Sequence, residues 1–275
     1  MLQITTLVEN SPGEHKGLVH EHGLCFHIEK DGESLLFDVG QSDAAVRNAA
    51  MLRIDLSRVR RIVLSHGHYD HSGGLRALAA VIPRLRLFTG AGFFDDKYGD
   101  VGAAYEFLGN DFDAAWLVEA GIAHTTLDAP VAEIVPGVFA LTDFPRVHGD
   151  EVVNPRFKVR VGGAFVPDAF SDEVMLAVDT PEGLVALLGC SHPGVKNMLD
   201  AAAQRLDRPI HAVIGGTHLV EASPESLALT VEYLRQKDIR VIGVSHCTGA
   251  VAMGSLAVFG DRYYHNRTGT ALILD

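Results

Sequence analysis

Four times in this chain an apolar run of strand length stops at a histidine-bearing turn: IVLSHGHYDH, VALLGCSH, AVIGGTH and VIGVSHC. In α/β sheets, ligand sites lie in the crevice beyond the carboxyl ends of the strands. Strands that all end this way therefore bring their polar ends to one rim. His66, His68, Asp70, His71, Cys190, His192, His218 and His246 are the side chains that such a rim would gather.

The order of elements supports the same picture. MLQITTLVEN reads as a strand, and HGLCFHIEKDGESLLFDVG as a hairpin turned at KDGES. A helix follows, opened by Ser42 or Asp43, then the strand VRRIVLS, a helix stopped by Pro83, and the strand LRLFTG. After two more strands comes the hairpin EVMLAVDTPEGLVALLGCS. Helices over PGVKNMLDAAAQR, PESLALTVEYLRQK and GAVAMGSLAVFG then alternate with the strands IHAVIGG and IRVIGVS, and TGTALILD closes the chain. Hairpins followed by alternating helices and strands, occurring twice, predict two mixed sheets packed face to face with helices outside. No linker or repeat divides the chain, so one domain over residues 1–275 is expected. Residues 91–128 lack a clear period and are rich in aromatics, which marks them as an insertion or a cover over the rim.

Composition excludes several classes. Apolar residues make up 47% of the chain, enough for a large core and against disorder. The formal net charge of −12 argues against a nucleic-acid partner. Three widely spaced cysteines do not make a disulfide framework, which favours a reducing compartment. The N-terminal stretch shows neither a signal peptide nor a membrane span, so the cytoplasm is the expected location.

The segment SHGHYDH carries the chemistry. Imidazole nitrogens with a carboxylate suit zinc, iron or manganese. Structural zinc sites tend to be closed and cysteine-rich, whereas here histidine dominates and the donors exceed the needs of one tetrahedral ion. Two ions about 3.5–4 Å apart would use them all and bring the pKa of a shared water to roughly 7. His15, His20, His22, His27, His124, His148, His211 and His265 are left as ordinary core or surface histidines. His218 is open between a supporting and a substrate-facing role.

SHGHYDHSGG resembles the HxHxDH signature of the metallo-β-lactamase superfamily. EHGLCFHIE, LLFDVGQS, GCSHPGVKNML, IGGTHL and SHCTG follow in the order of its dihydropterin-ribofuranosyl-aminobenzene phosphate synthase-like branch. The resemblance implies an αββα sandwich with two metals, zinc first and manganese or iron as alternatives, at one edge of its two sheets. It gives His66, His68 and His192 to the first ion, and Asp70, His71 and His246 to the second. The aspartate that often bridges the two ions is replaced here by Cys190, which is either a bridging thiolate or a small buried hydrophobe. The histidine expected before DEVMLAV is absent, and PDAFSDE offers only Asp168 and Asp172.

A metal-dependent hydrolase or synthase follows as the leading function, with Asp70 and His218 as catalytic groups and a small anionic, phosphorylated or pterin-like substrate. A non-catalytic metal sensor and a di-iron redox protein are the alternatives. Intact ligands with an open position favour catalysis over sensing, and the chain has no room for an attached flavin domain. A homodimer is left open. Two helix starts, after His192 and after His246 with Thr248 as cap, are expected to aim free N–H groups at the rim and attract an anion. Arg156, Lys158 and Arg160, alternating along a strand, would line its approach or form a solvated face.

Overall fold

A computed structural model describes residues 1–274. Two mixed sheets form its centre. The first contains β1 (Leu2–Val8), β2 (Cys25–Lys30), β3 (Glu33–Phe37), β4 (Arg61–Val63), β5 (Arg86–Gly90), β8 (Ala123–Leu127) and β17 (Ala271–Leu274), in the order β17-β1-β2-β3-β4-β5-β8. The second contains β9 (Val131–Val135), β10 (Val138–Leu141), β13 (Met175–Thr180), β14 (Gly183–Leu188), β15 (Ile210–Gly216) and β16 (Val241–Ser245), in the order β16-β15-β14-β13-β10-β9. Both are antiparallel where hairpins join neighbours and parallel where helices intervene: β3, β4, β5 and β8 run parallel, as do β14, β15 and β16. The β2–β3 turn has both central residues, Asp31 and Gly32, at positive φ, as a two-residue hairpin turn requires.

The inner faces pack against each other through Phe26, Ile28, Phe37 and Val63 of the first sheet and Val138, Leu176, Val185 and Ile214 of the second. The outer face of the first sheet is covered by α1 (Ala44–Met51), α3 (Leu75–Ala79) and α4 (Ala114–Glu119), which bury Ala45, Ala49, Leu75, Leu78 and Leu117 with Leu36, Ile62 and Leu87. The second sheet is covered by α5 (Val195–Leu206), α6 (Pro224–Gln236) and α7 (Ala250–Leu256), with Met198, Leu199 and Leu234 against Ala186, Leu188 and Ile242. The layering is therefore helix, sheet, sheet, helix. Strands buried on both faces read as unbroken apolar runs, and β14 is buried along its whole length.

Residues 91–128 divide between two places. α4 and β8 belong to the main architecture, because β8 pairs in parallel with β5 and extends the first sheet. Only β6 (Lys97–Asp100) and β7 (Tyr105–Phe107) leave it, joining β11 (Phe157–Val161) and β12 (Ala164–Pro167) in a small sheet ordered β12-β11-β6-β7. The aromatics divide likewise. Phe93 and Phe112 are buried beneath α4 with Trp116 against them, while Tyr98, Tyr105 and Phe107 pack with Phe165 on the small sheet. No helix among the described residues is long and apolar enough to cross a membrane.

Candidate metal centre

The polar turns after β4, β14, β15 and β16 meet at one edge of the sandwich. The backbone there is tightly bent. Asp38, Ser191, His218 and His246 each lie just beyond a strand end, and each has φ between 49° and 63°. Non-glycine residues rarely occupy this left-handed region, and where several do so together they mark a constrained functional loop. The His246 amide is held by the buried Glu9 carboxylate at 2.7 Å, and the Ser191 amide by Glu173 at 3.0 Å.

One donor group is His66, His68 and His192, whose ligand-type nitrogens lie within 4.8 Å of one another. His66 Nε2 and His68 Nδ1 are 2.9 Å apart. His68 Nε2 and His192 Nε2 are buried without any hydrogen-bond partner. Burial above all, helped by neighbouring positive groups and opposed at His66 and His68 by Asp70, holds all three imidazoles well below the ordinary histidine pKa, so they are neutral and carry lone pairs. Buried, neutral imidazoles whose ligand-type nitrogens lie this close together fit a divalent ion.

A second group surrounds Asp70. Its Oδ2 lies 3.6 Å from His71 Nε2 and 3.4 Å from His246 Nε2. The tautomers follow from the partners behind each ring. Asp38 Oδ2 accepts from His71 Nδ1 at 2.6 Å. Asn10 Oδ1 accepts from His246 Nδ1 at 2.9 Å and also from the Gly23 amide, which fixes the amide orientation. With Nδ1 engaged in both rings, Nε2 is the atom each ring presents to Asp70, and the one a metal would take once its proton is lost. Burial alone would lower the His71 pKa, but the Asp38 and Asp70 carboxylates outweigh it and raise it to about 9. An ion entering this group must displace that proton. Burial likewise raises the Asp70 carboxyl, but His71 and hydrogen bonds from His22 and His246 bring it well below the usual range. His22 also reaches Asp70 Oδ2, at 3.2 Å. Its Nδ1 faces Asn10 Nδ2, a donor, so its Nε2 carries the hydrogen. His22 is thus a hydrogen-bond donor to Asp70, and its ring nitrogen also falls within 4.8 Å of the donor atoms of Asp70 and His246.

Cys190 lies between the two groups. Its Sγ is 3.3 Å from His71 Nε2 and falls within the set His66, His71 and Cys190. It also lies within 4.8 Å of the donor atoms of His246 and Cys247. Burial, with Cys247 beside it, pushes its thiol well above the ordinary value. His218 stands at the side of the first group, its ring 4.3 Å from that of His192, with Nδ1 3.5 Å from Glu221. All eight rim residues singled out in the sequence therefore come together. Asn10, His22 and Cys247 carry no local sign of a role in the sequence, whereas Asp38, just beyond β3, has the same strand-end position as the histidines.

Asp168 and Asp172 are not free donors. Lys97 Nζ is 2.8 Å from Asp168 and 3.0 Å from Asp172, and all three are buried. The helix starts also differ from expectation. The α5 amides of Lys196 and Asn197 are taken by the Glu151 carboxylate at 2.8 and 2.9 Å, so that end already holds an anion. α7 is capped at Gly249, not Thr248, whose hydroxyl accepts from Thr217. A cavity of about 370 Å³ opens on the centre, lined by His68, Asp70, Cys190, His192, His246 and Arg156 among others. Arg156 is its one Lys or Arg among the described residues, its guanidinium 4.2 Å over the Phe157 ring and its Nε donating to Glu221. From 91–128 only Leu108 lines this cavity, and none of the aromatics of that segment does so among the described residues.

Glu173 is buried beside the centre with Oε2 unpartnered, and burial and then the Asp172 carboxylate push its pKa up to about 8. A carboxyl raised in this way stabilises the fold fully below its ordinary pKa, and that contribution is lost as pH rises through about 8. Each unit of such a shift corresponds to about 1.4 kcal/mol. Metal-free Glu173→Gln should therefore melt higher than metal-free wild type at pH 9 and close to it at pH 5. An equal difference at both values would show that the carboxyl ionises freely in the fold.

The metallo-beta-lactamase superfamily model matches residues 20–83, which span the SHGHYDH loop and the strands that present it. A metal-dependent hydrolase of the beta-lactamase superfamily, known from its crystal structure, superposes over 100% of this chain and 99% of its own with a TM-score of 0.85 and 28% identity. Residues 20–83 thus carry a metallo-beta-lactamase domain, and the whole chain shares the fold of that hydrolase. The chain is also 28% identical to 7,8-dihydropterin-6-methyl-4-(beta-D-ribofuranosyl)-aminobenzene-5'-phosphate synthase of Methanocaldococcus jannaschii, over 90% of this chain and 88% of the relative. PqqB from Methylobacterium extorquens, 14% identical, shares the fold with a TM-score of 0.58, covering 99% of this chain and 100% of its own. The two donor groups sit at the edge where the two sheets meet.

Proposed function

We propose that the chain is a metal-dependent hydrolase or synthase that activates water against a small anionic substrate. The observation that carries this reading is the convergence of two buried donor groups with unpartnered His68 and His192 nitrogens on an open cavity. His66, His68 and His192 would hold one ion, Asp70, His71 and His246 a second, with Cys190 between them. Divalent ions held there supply Lewis acidity and a water of lowered pKa. Zinc suits the donor set best, and manganese or iron are the alternatives.

Asp70 orients the attacking water and is itself held in place by the His22 donor. His218, backed by Glu221, faces the substrate beside His192. Arg156 supplies a cation at the cavity wall and draws a phosphate or carboxylate group toward the centre. The cavity, and a neighbouring one of about 300 Å³ that shares His192 and His218, suit a small molecule. The Methanocaldococcus jannaschii relative is named for a pterin and a phosphate, and both are consistent with this choice.

The test is a screen of zinc- or manganese-loaded protein against phosphomonoesters, cyclic phosphodiesters and lactones, with and without chelator. Chelator-sensitive turnover of an anionic substrate, inhibited competitively by inorganic phosphate, is expected. Preference for neutral esters with no inhibition at millimolar phosphate would overturn the substrate class.

Cys190 gives a separate prediction. If its thiolate completes the centre, Cys190→Ser weakens zinc binding about tenfold or more, as loss of groups around a metal commonly does. Competition against a colorimetric chelator measures this, and wild-type affinity in the variant would reduce Cys190 to a small buried filler.

A further inference from the structure

Lys97, the first residue of β6, is 1% exposed, and a buried ammonium persists only where charge and hydrogen bonds compensate it. Its partners are two aspartates of one short loop. Asp168 Oδ2 and Asp172 Oδ1 accept from Nζ at 2.8 and 3.0 Å. The other oxygens of the same carboxylates reach elsewhere. Asp172 Oδ2 accepts the Gly67 amide at 2.8 Å, and Gly67 is the residue between His66 and His68. Asp168 Oδ1 accepts the Phe170 amide at 2.7 Å, where Phe170 is held at φ 50°. The Phe170 ring lies 4.9 Å below the ammonium and stacks flat on His192, with centroids 3.7 Å apart and planes 14° apart.

We propose that Lys97 is a positioning residue for the first donor group: through Asp172 and Gly67 it sets the spacing of His66 and His68, and through Asp168 and Phe170 it seats His192. One cation thus joins the two strand ends, after β4 and after β14, that must meet for this group to exist. The role rests on the metal reading of His66, His68 and His192. It also gives part of residues 91–128 a duty at the centre, although its aromatics stay away from the cavity. Without the ammonium, two buried carboxylates repel, the loop 168–172 opens, and both tethers loosen.

The experiment measures zinc affinity by chelator competition on apo-protein reloaded with zinc, with near-ultraviolet circular dichroism as the check on packing. Lys97→Met is expected to bind zinc about ten- to a hundredfold more weakly, the usual consequence of losing a group that orients metal ligands. Asp172→Ala, which keeps the Lys97–Asp168 pair but removes both the acceptor for Gly67 and the second partner of Lys97, is expected to fall in the same direction and decides the matter if Lys97→Met does not fold. In a His66→Ala background, where the first group is already broken, Lys97→Met should weaken the remaining zinc no further. Wild-type affinity in a folded Lys97→Met or Asp172→Ala protein overturns the proposal, as does an equal loss in the His66→Ala background, which would mark a general packing role. If wild-type protein holds no zinc that depends on His66, the metal reading itself falls. If it does and Lys97→Met holds zinc equally well, only the positioning role falls.

Discussion

Asp70→Ala is expected to lower turnover at least about a hundredfold and to release the ion held by the second donor group. The reason is the crowding around one oxygen. His22, His71 and His246 nitrogens lie 3.2, 3.6 and 3.4 Å from Asp70 Oδ2. Without the carboxylate, three imidazoles face one another with no anion between them, and His71 keeps Asp38 as its main negative neighbour. The protonated form of His71 then loses one of its supports, so its pKa falls while the donor set shrinks. Zinc content and chelator-sensitive turnover, measured side by side, check the prediction. Asp70→Asn separates shape from charge: it retains an oxygen acceptor for His22 but removes the negative charge, and should recover little activity. Wild-type zinc content in Asp70→Ala would remove Asp70 from the centre.

Gly67→Ala is expected to be nearly as damaging, by a different route. A Cβ at this position would stand 2.3 Å from the Phe93 carbonyl oxygen and 3.3 Å from Lys97 Cε. The carbonyl is backbone and cannot turn aside, so the loop must shift. Overpacking of this kind costs about 1–3 kcal/mol in a well-packed interior. The more specific effect falls on the two histidines that flank the glycine, because the amide of residue 67 is the one tied to Asp172. Zinc affinity should drop about ten- to a hundredfold even where the variant folds, and the melting temperature of the metal-free protein should fall by several degrees. An unchanged zinc affinity with a lowered melting temperature would show that the loop yields without disturbing its ligands.

The sandwich and its rim were legible in the sequence because both rest on local signals. Strands such as β14 and β16 are short apolar runs, and each stops at polar residues that cannot stay in the core. The periods of α5 and α6 follow from faces buried against the second sheet. Histidines at those strand ends therefore had to share an edge. What stayed hidden depends on partners far apart in the chain. Lys97 meets Asp172 across 75 positions and Glu151 caps α5 across 45, and neither contact leaves a periodic trace. For α5 the helix-start argument failed for that reason: the anion expected from outside is the Glu151 side chain. The segment 91–128 misled because its strands are short and partly exposed, and β8, which shows little apolar alternation, owes its place to pairing with β5. The second histidine group was visible from Asp70, His71 and His246. The partners that set the tautomers, Asp38 and Asn10, were visible only after folding.

The central claim is that the two donor groups hold metal, and metal content tests it most directly. Protein purified without chelator, then saturated with zinc and freed of excess, should carry about one to two equivalents per chain, falling to near none in the His66→Ala/Asp70→Ala double variant while the fold is retained. Metal content unchanged by that double substitution, or wild-type protein that takes up no zinc, manganese or iron at all, would contradict the account.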